Sequence, residues 1–387
     1  MRILYHFRTQ GTGAEGVHIA GIANAFAQLG HEVVFHSPTG ADPRRSAGEN
    51  PFAAKKKRGL LGWLAAHAPG FVFELMEVAY SQLAQRRLGA LVEKQAFDFI
   101  YERHAFFLDA AAHVAHERQL PLVIEVNELA GDERIRATPW LLPFAHRADA
   151  RTFAQATAIV TVSPYLQRRI AELGVPAEKI HVVPNAVDET MLAAPNRRAE
   201  IRSRLGLENT TVVGFIGWFV PWHRLDRLVA EFAVAAKNDP SLRLLLIGDG
   251  PLREPLTQQA AELGITNRLI WPGPVPHAEV AGWLDALDIA VVPHSNEFRS
   301  PIKLFEAMAR ARAVLAPRTE AITSVAADGE TAVLFDPEDA AELRARLIQL
   351  ANDPALRDRL GAAARHIIET RHTWVRNAER VLAALRG

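Results

Sequence analysis

The sequence predicts an α/β protein made of two Rossmann-like, doubly wound domains that face a central cleft. The chain has 387 residues, more than the usual size of one domain. It opens with a short strand (2–7), a glycine-containing loop, an amphipathic helix (17–29) and a second strand (31–36), the pattern of a parallel βαβ unit. The alternation restarts with a strand at 211–217, after the polar stretch 195–198. Two separate parallel sheets are therefore expected.

Three segments follow from this alternation. The first predicted domain spans 1–192, the second spans 193–370, and a last helix at 371–387 is expected to pack back on the first domain. Gly30 closes the first helix as a left-handed C-terminal residue. Further strands are predicted at 98–101, 122–126, 158–163, 179–185, 242–247, 269–271, 287–292 and 313–316. Because ligands bind at the carboxyl ends of parallel strands, the loops after these strands are the expected ligand contacts.

Composition excludes several classes of protein. Lys+Arg and Asp+Glu are both 44, so no global charge attracts nucleic acid. The absence of cysteine excludes disulfides and thiolate metal sites. The first residues carry no apolar run of the length of a signal peptide or a membrane span, and a cytoplasmic location is expected.

The most informative motif is the block from Ser300 to Ala309, which follows an apolar strand ending in Pro293. A helix that begins in this block offers unpaired N–H groups and a positive dipole end to phosphate. Lys303 adds a cation, and the Glu306 carboxylate can accept hydrogen bonds from a ribose diol. This combination predicts a nucleotide-sugar site.

Four motifs together resemble a known family. They are Val183-Pro184-Asn185-Ala186-Val187-Asp188, Leu246-Ile247-Gly248-Asp249-Gly250-Pro251-Leu252, Trp271-Pro272-Gly273-Pro274-Val275-Pro276-His277 and the Ser300 to Ala309 block. In their order and spacing the chain resembles the family-4 retaining glycosyltransferases of the GT-B fold. The resemblance spans nearly the whole chain.

The resemblance implies a nucleoside diphosphate sugar as donor, held mainly by the C-terminal domain, with a UDP-sugar expected. It implies transfer with retention at the anomeric carbon, no metal and no cofactor. The acceptor, a glycan or lipid-linked sugar used in surface polysaccharide or glycolipid assembly, is assigned to the N-terminal domain. The expected donor-binding residues are Gly13, Ala14, Trp218, His223, Arg224, Val275, Glu297, Phe298, Ser300, Pro301, Ile302, Lys303, Leu304 and Glu306.

Two departures from the family pattern lie in the donor site. Family members usually carry an Arg and then Lys-Gly five residues later, whereas this chain has Trp218, His223 and Arg224 there. We therefore expect a phosphate clamp rebuilt from His223, charged when protonated, together with Arg224 and Lys303. The first of a pair of family glutamates falls on Phe298, with Glu297 one residue away, and Glu306 matches the second.

The third departure lies in the N-terminal domain. The His that family members often carry after the strand at 98–101 is Arg103 here, followed by His104. Both are kept as candidates for the reaction centre, beside Lys303 and Glu306 as catalytic residues. The acceptor side is expected to include His18, Glu125, Asn127 and Glu128.

Other interpretations of these features stay open. Glu306 can simply stabilise a helix dipole, His223 can be a packed loop residue, and Arg103 can pair with Glu102 or Glu125. A nucleotide-sugar epimerase and a non-catalytic nucleotide-sugar binder are the rival functions, and a dehydrogenase is disfavoured by the spacing of the first glycines. Basic residues 55–58 followed by Trp63 favour either a solvated loop or peripheral contact of 55–64 with an anionic inner membrane.

Overall fold

The structure is a computed structural model that describes residues 1–9, 11, 13–38, 40, 42–46, 70–131 and 139–387. These residues form two compact units, Met1–Pro184 with Trp374–Gly387, and Asn185–Thr373. Each unit contains one six-stranded sheet. The predicted α/β class and the two separate parallel sheets are confirmed.

The first unit has its strands in the order β2-β1-β3-β4-β5-β6, all parallel. They are β1 Arg2–His6, β2 Glu32–His36, β3 Phe99–Arg103, β4 Leu122–Val126, β5 Ala158–Thr161 and β6 Ile180–Val182. The helices between them are α1 Gly13–Gln28, α2 Pro43–Ser46, α3 Gly70–Lys94, α4 Ala110–Arg118, α5 Leu142–Gln155 and α6 Pro164–Glu172. β4 is buried along its whole length, as expected for a strand covered by helices on both faces.

The second unit has the strand order β12-β11-β10-β7-β8-β9, also parallel. Its strands are β7 Thr211–Ile216, β8 Leu242–Ile247, β9 Leu269–Gly273, β10 Ile289–Val291, β11 Ala313–Pro317 and β12 Val333–Phe335. Its helices are α7 Glu189–Ala193, α8 Arg198–Leu205, α9 Leu225–Ala235, α10 Arg253–Glu262, α11 Val280–Asp285, α12 Ile302–Ala309, α13 Glu320–Thr323, α14 Ala340–Asn352 and α15 Pro354–Arg371.

Two apolar clusters pack against opposite faces of the second sheet. Along β8, Leu245 and Ile247 join one cluster, whereas Leu244 and Leu246 join the other. This split follows from the two-residue period of a strand, which points successive side chains to opposite faces. All four side chains are fully buried, and each burial stabilises the fold by roughly 2 kcal/mol.

The last helix, α16 Trp374–Ala384, belongs to the first unit. The Trp374 indole lies against Gly21 of α1, where a Cβ would come within 2.4 Å of the indole nitrogen. The Asn377 side chain donates to the carbonyl of Pro184. The units therefore divide after Pro184 and after Thr373, whereas the sequence boundaries were placed at 192 and 370. Residues 185–192 thus lie in the second unit.

The first helix begins earlier than the sequence indicated. α1 starts at Gly13 rather than at Val17, so Gly13 and Gly16 are helical and Gly11 remains in the loop. A Cβ on Gly16 would lie 2.2 Å from the Gly11 carbonyl oxygen, so the loop packs directly against the first helical turns. Across the ranges given above, no helix is long and apolar enough to cross a membrane.

Candidate active site

The second sheet has a topological switch point beside β7. The chain runs from β7 to β8 and β9 on one side, and β10 lies on the other side. Loops after β7 and β10 therefore diverge at the carboxyl edge of the sheet, which is where open parallel sheets bind ligands. His223 comes from the loop after β7 and Lys303 from the start of α12, after β10. Lys303 Nζ lies 3.1 Å from His223 Nε2, so the fold brings these two predicted residues together.

Lys303 is a partly buried cation. Its ammonium group also lies 4.2 Å from the centre of the Phe215 ring. Among the described residues, no carboxylate lies within ion-pair distance of Lys303 Nζ. Burying an uncompensated cation costs free energy, so the surroundings of Lys303 suit an anionic ligand that supplies the missing charge.

Burial determines the charge of this pair. It lowers the pKa of Lys303 to about 7; Glu306 opposes this shift and Arg299 adds to it. Burial, followed by the positive charges of Lys303 and Arg299, lowers the pKa of His223 to about 2. His223 is therefore neutral at physiological pH and accepts a hydrogen bond from Lys303. Burial and the nearby Lys303 charge therefore disfavour the charged form of His223, and a role for His223 in the phosphate clamp stays a prediction.

Arg224 occupies the position of the family glycine and keeps the backbone shape of a glycine. Its φ of 47° lies in the left-handed region, as the N-terminal flank of α9 requires. The exposed Arg224 side chain places Nε 3.3 Å from Asp226. Trp218 is partly buried just after β7. No contact among the described residues joins Arg224 to Lys303 or His223, and its predicted phosphate contact stays a prediction.

Glycines let the loops after β7 and β8 approach closely. A Cβ on Gly248 would lie 1.9 Å from the Gly217 carbonyl oxygen, and one on Gly250 would lie 2.5 Å from the Phe219 oxygen. A Cβ on Gly217 would come within 3.2 Å of Lys303 Nζ. Backbone at Gly217 and the Phe215 ring therefore line the surface next to Lys303.

Glu306 lies in the second turn of α12, one turn beyond Lys303, and is largely buried. Its Oε1 lies 3.2 Å from His277 Nε2. The hydrogen bond to Glu306 raises the pKa of His277, against the effect of burial. Val275, two residues before His277, packs partly buried against the adjoining apolar cluster. Glu306, predicted to bind ribose, and Val275, another predicted donor-binding residue, are thus linked through one short loop.

The rest of the loop before α12 is held by the protein itself. The Ser300 hydroxyl accepts a hydrogen bond from the Asn185 N–H at 3.0 Å. Phe298 is buried, and the exposed Glu297 accepts from the Glu320 N–H at the start of α13. Pro301 and Ile302 begin the helix, and Leu304 is fully buried. Neither Glu297 nor Phe298 is brought beside Lys303 by a contact that the structure describes.

In the first unit, Glu125 is a buried carboxylate surrounded by donors. Tyr101 Oη donates to it at 2.7 Å, Asn127 Nδ2 at 2.7 Å, and His18 Nε2 lies at 2.8 Å. The Arg103 guanidinium is also bonded to it. Burial would raise the pKa of Glu125, but His18 and Arg103 hold it well below its usual range. Glu125 is therefore ionised and cannot act as a general acid near neutral pH.

Arg103 and His104 point into different surroundings. Arg103 pairs with Glu125 and with Glu15 of α1 at 3.2 Å, not with Glu102. His104 Nε2 lies 2.8 Å from Asp149, and burial opposes but does not cancel the effect of that carboxylate, so the pKa of His104 is raised. Glu128 adds to this shift. Arg103 is thus the one that joins the cluster of predicted acceptor-side residues.

Gly13 and Ala14 form the first turn of α1, whose N–H groups have no partner within the helix. Their predicted contact with the diphosphate stays a prediction. The basic segment 55–64 lies outside the described residues. No group of three metal-binding side chains occurs in the described ranges, and metal independence stays a prediction.

Comparisons with known proteins identify the class. A family model described as "Glycosyltransferase Family 4" matches residues 15–190, and one described as "Glycosyl transferases group 1" matches residues 197–367. Sucrose-phosphate synthase from Thermosynechococcus elongatus has the same fold, with a TM-score of 0.74 at 18% identity over 100% of this chain and 98% of that one. Anabaena HepE in complex with UDP and glucose gives 0.70 at 19%, over 100% and 99%. The fold is therefore GT-B.

Curated relatives agree with this class. A D-inositol 3-phosphate glycosyltransferase of Thermobispora bispora is 29% identical over 96% of this chain and 90% of its own length. A GDP-mannose-dependent mannosyltransferase of Mycolicibacterium smegmatis that acts on phosphatidylinositol monomannoside is 26% identical over 69% and 74%. This chain belongs to glycosyltransferase family 4, and it is a glycosyltransferase.

Several residues at these sites were not found from the sequence. Asp149 and Glu15 are distant in the chain from their partners His104 and Arg103, and no local pattern marks them. Phe215 looked like an ordinary strand residue. His277, in contrast, ends a motif that was recognised, and its position after β9 could have indicated a site residue.

Proposed function

We propose that this glycosyltransferase uses a UDP-sugar as donor and transfers the sugar with retention at the anomeric carbon, without a metal. The acceptor is a glycan or a lipid-linked sugar of surface polysaccharide or glycolipid assembly. The observation that carries the assignment of a nucleoside diphosphate donor is Lys303, a partly buried cation at the switch point of the second sheet that pairs with no carboxylate of the described residues. A diphosphate supplies the missing negative charge.

The mechanism assigned to the donor site is electrostatic. Negative charge builds on the diphosphate as the bond to the sugar breaks. Lys303 has three N–H donors and gives one to His223, so the others are available to phosphate oxygens. The N–H groups at the start of α12 face the same charge. Glu306 accepts hydrogen bonds from the ribose, and the leaving phosphate takes the proton of the acceptor hydroxyl.

The first unit is assigned to the acceptor. Glu125 is held ionised by four donors, and a fixed carboxylate of this kind suits hydroxyl-rich ligands. Arg103 takes the place of the family histidine in this role. No protein nucleophile is assigned.

Turnover of purified protein tests the activity. UDP-glucose, UDP-galactose and GDP-mannose are offered with a membrane or glycan extract as acceptor, with and without EDTA. We expect release of UDP, unchanged by EDTA, and a product whose anomeric configuration by NMR matches the donor. Glu306→Ala should lower kcat/KM by roughly 10- to 100-fold, the loss of hydrogen bonds to a charged group.

Other results of that assay identify the rival functions. A changed sugar with no transfer would indicate an epimerase. Binding of a donor with no turnover would indicate a non-catalytic binder. This alternative is considered because Trp218 and Phe298 depart from the family pattern. Release of GDP alone would show that the donor is a GDP-sugar rather than a UDP-sugar.

Peripheral contact with a cytoplasmic membrane surface is also proposed, through 55–64. It is supported by the basic sequence there and by three large apolar side chains exposed at the start of α3, Phe71, Leu75 and Met76. Neutralising 55–58 should abolish sedimentation with phosphatidylglycerol vesicles. Sedimentation that is unchanged, or that the unaltered protein does not show, would contradict this proposal.

A further inference from the structure

Glu306 has an unusual arrangement for a carboxylate that binds a ligand. It is largely buried on α12, and its Oε1 is bonded to His277 Nε2 at 3.2 Å. Among the described residues, Oε2 has no hydrogen-bond partner. One oxygen is therefore used within the protein, and the other is left for a ligand.

The position of His277 allows it to fix the orientation of the Glu306 carboxylate. It opens the short 3₁₀ turn His277–Glu279 between β9 and α11. Its imidazole is about one-third exposed, and Asp188 adds to the effect of Glu306 in favouring the protonated ring. Val275, two residues earlier, anchors the loop against the apolar cluster. A ring fixed at its loop end gives the Glu306 carboxylate a fixed orientation.

We propose that His277 is a positioning residue that orients Glu306, so that Oε2 is presented to the vicinal hydroxyls of the donor's ribose. This inference rests on the proposed donor site. A carboxylate whose orientation is already fixed loses less conformational entropy on binding, so its hydrogen bond to the ribose 2′-hydroxyl contributes more to affinity. His277 thus contributes to selection of ribose over deoxyribose while contacting neither.

The hydrogen bond, rather than the charge alone, carries this role. Imidazole Nε2 donates to Glu306 when the ring is protonated and in one of its neutral tautomers. A glutamine places an amide donor at a similar distance from the backbone, whereas alanine leaves Glu306 without its partner. His277→Gln should therefore retain most of the effect that His277→Ala loses.

Calorimetric titration with paired nucleotides tests the proposal. The probes are UDP and 2′-deoxy-UDP, with GDP and 2′-deoxy-GDP in parallel. For whichever base binds, the unaltered protein should prefer the ribonucleotide by about tenfold or more, the effect of one hydrogen bond to a charged group. Glu306→Ala should abolish the preference, and His277→Ala should reduce it to about threefold or less with little change in affinity for the deoxynucleotide.

The controls separate positioning from a purely structural role. His277→Gln should keep the preference, and His366→Ala, at an exposed histidine of α15, should change neither affinity. An equal loss of affinity for both nucleotides in His277→Ala, or a ratio equal to that of the unaltered protein, would overturn the proposal. Circular dichroism and thermal melting verify that each variant is folded.

Failure of the donor site itself gives a different result. If no nucleotide binds the unaltered protein, the proposed function fails and the inference fails with it. The other case is that nucleotides bind and Lys303→Ala weakens both the ribonucleotide and the deoxynucleotide. If the ratio of the two affinities is then the same in His277→Ala as in the unaltered protein, only the inference fails.

Discussion

Lys303 carries the strongest chemical signal of any single residue in the second unit. Its ammonium group is held between a neutral imidazole and an aromatic ring rather than beside a carboxylate. Replacing the family lysine by His223 removes one cation from the site and supplies an acceptor instead. The positive charge at this point is therefore concentrated on one group whose protonation is sensitive to its surroundings.

Diphosphate binding should take up a proton at Lys303. The pKa of Lys303 in the free protein is about 7, and a bound phosphate anion raises it. Affinity is therefore full below about pH 7 and falls as the pH rises above 7, while the terminal phosphate, with a pKa of about 6, stays ionised. The charged or titratable groups around Lys303 and its neighbour His223 are His294, Arg299 and Glu306. Calorimetry between pH 7 and 9, in buffers of different ionisation enthalpy, measures the proton uptake.

Lys303→Arg is the matched control for this linkage. Arginine stays protonated across this range, so the variant should bind without proton uptake. Equal proton uptake in both proteins, or a pH-independent affinity in the unaltered one, would contradict the assignment.

The sequence identified Lys303 and Glu306 because both belong to one short local motif. It could not foresee that His223 is uncharged, because the pKa of a histidine depends on the burial that tertiary packing produces. It also left Arg103 and His104 undecided, because their partners Glu15 and Asp149 come from distant helices. Residues in local motifs could be predicted from the sequence, whereas ion pairs between distant segments could not.

At the scale of elements, the ends of β7, β8 and β9 and the loops after them form one layer joined by backbone hydrogen bonds. The Gly217 N–H donates to Ile247 at 2.9 Å, Phe219 to Asp249 at 2.8 Å, and Gly248 to Gly273 at 2.9 Å. These bonds lie at the carboxyl edge of the second sheet, and Gly217 lies next to Lys303. The layer is therefore expected to fix the position of the phosphate site.

Gly248→Ala should damage both the fold and the donor site. The new Cβ would lie 1.9 Å from the Gly217 oxygen at a φ of 135°, so the backbone must shift. We expect a loss of about 3 kcal/mol in the free energy of unfolding by urea, together with loss of nucleotide binding.

Gly264→Ala provides the comparison for that variant. Gly264 has a φ of 69° and no atom within 4 Å of an added Cβ, so only the left-handed backbone penalty of about 1 kcal/mol applies. Equal destabilisation by the two substitutions would show that the hydrogen-bonded layer does not matter.

Element boundaries were predicted less well than element types. Apolar runs of strand length predicted every strand except β12, Val333–Phe335, which was missed because it has only three residues. The start of α1 was placed four residues too late, since glycines usually indicate a loop and nothing local shows that Gly16 lies against the Gly11 carbonyl. Packing at that distance is a tertiary property.

At the scale of the whole molecule, the chain returns to its first unit at the end. Trp374 packs on Gly21 and edge-on to His18, whose ring centre is 4.8 Å away. Since His18 also contacts Glu125, the C-terminal helix supports the acceptor-side cluster as well as the fold. The prediction that the last helix packs on the first domain agrees with the division into units, whereas its partner residues could not be read from the sequence.

Trp374→Ala should destabilise the first unit by about 3 to 5 kcal/mol, the range for removing a buried aromatic side chain. Urea unfolding followed by circular dichroism measures the change. Trp140→Ala, at an indole that is 77% exposed, should stay within about 0.5 kcal/mol of the unaltered protein. Similar effects of the two variants would contradict the described packing of α16.

Nucleotide binding by the purified chain is the most direct test of the central claim, that Lys303 and Glu306 form a donor site. Calorimetric titration with UDP, GDP, ADP and CDP is carried out on the unaltered protein, Lys303→Ala and Glu306→Ala. We predict that UDP binds and that each variant weakens its binding by roughly 10-fold or more. Absence of binding by every nucleotide, or unchanged affinity in both variants, would contradict it.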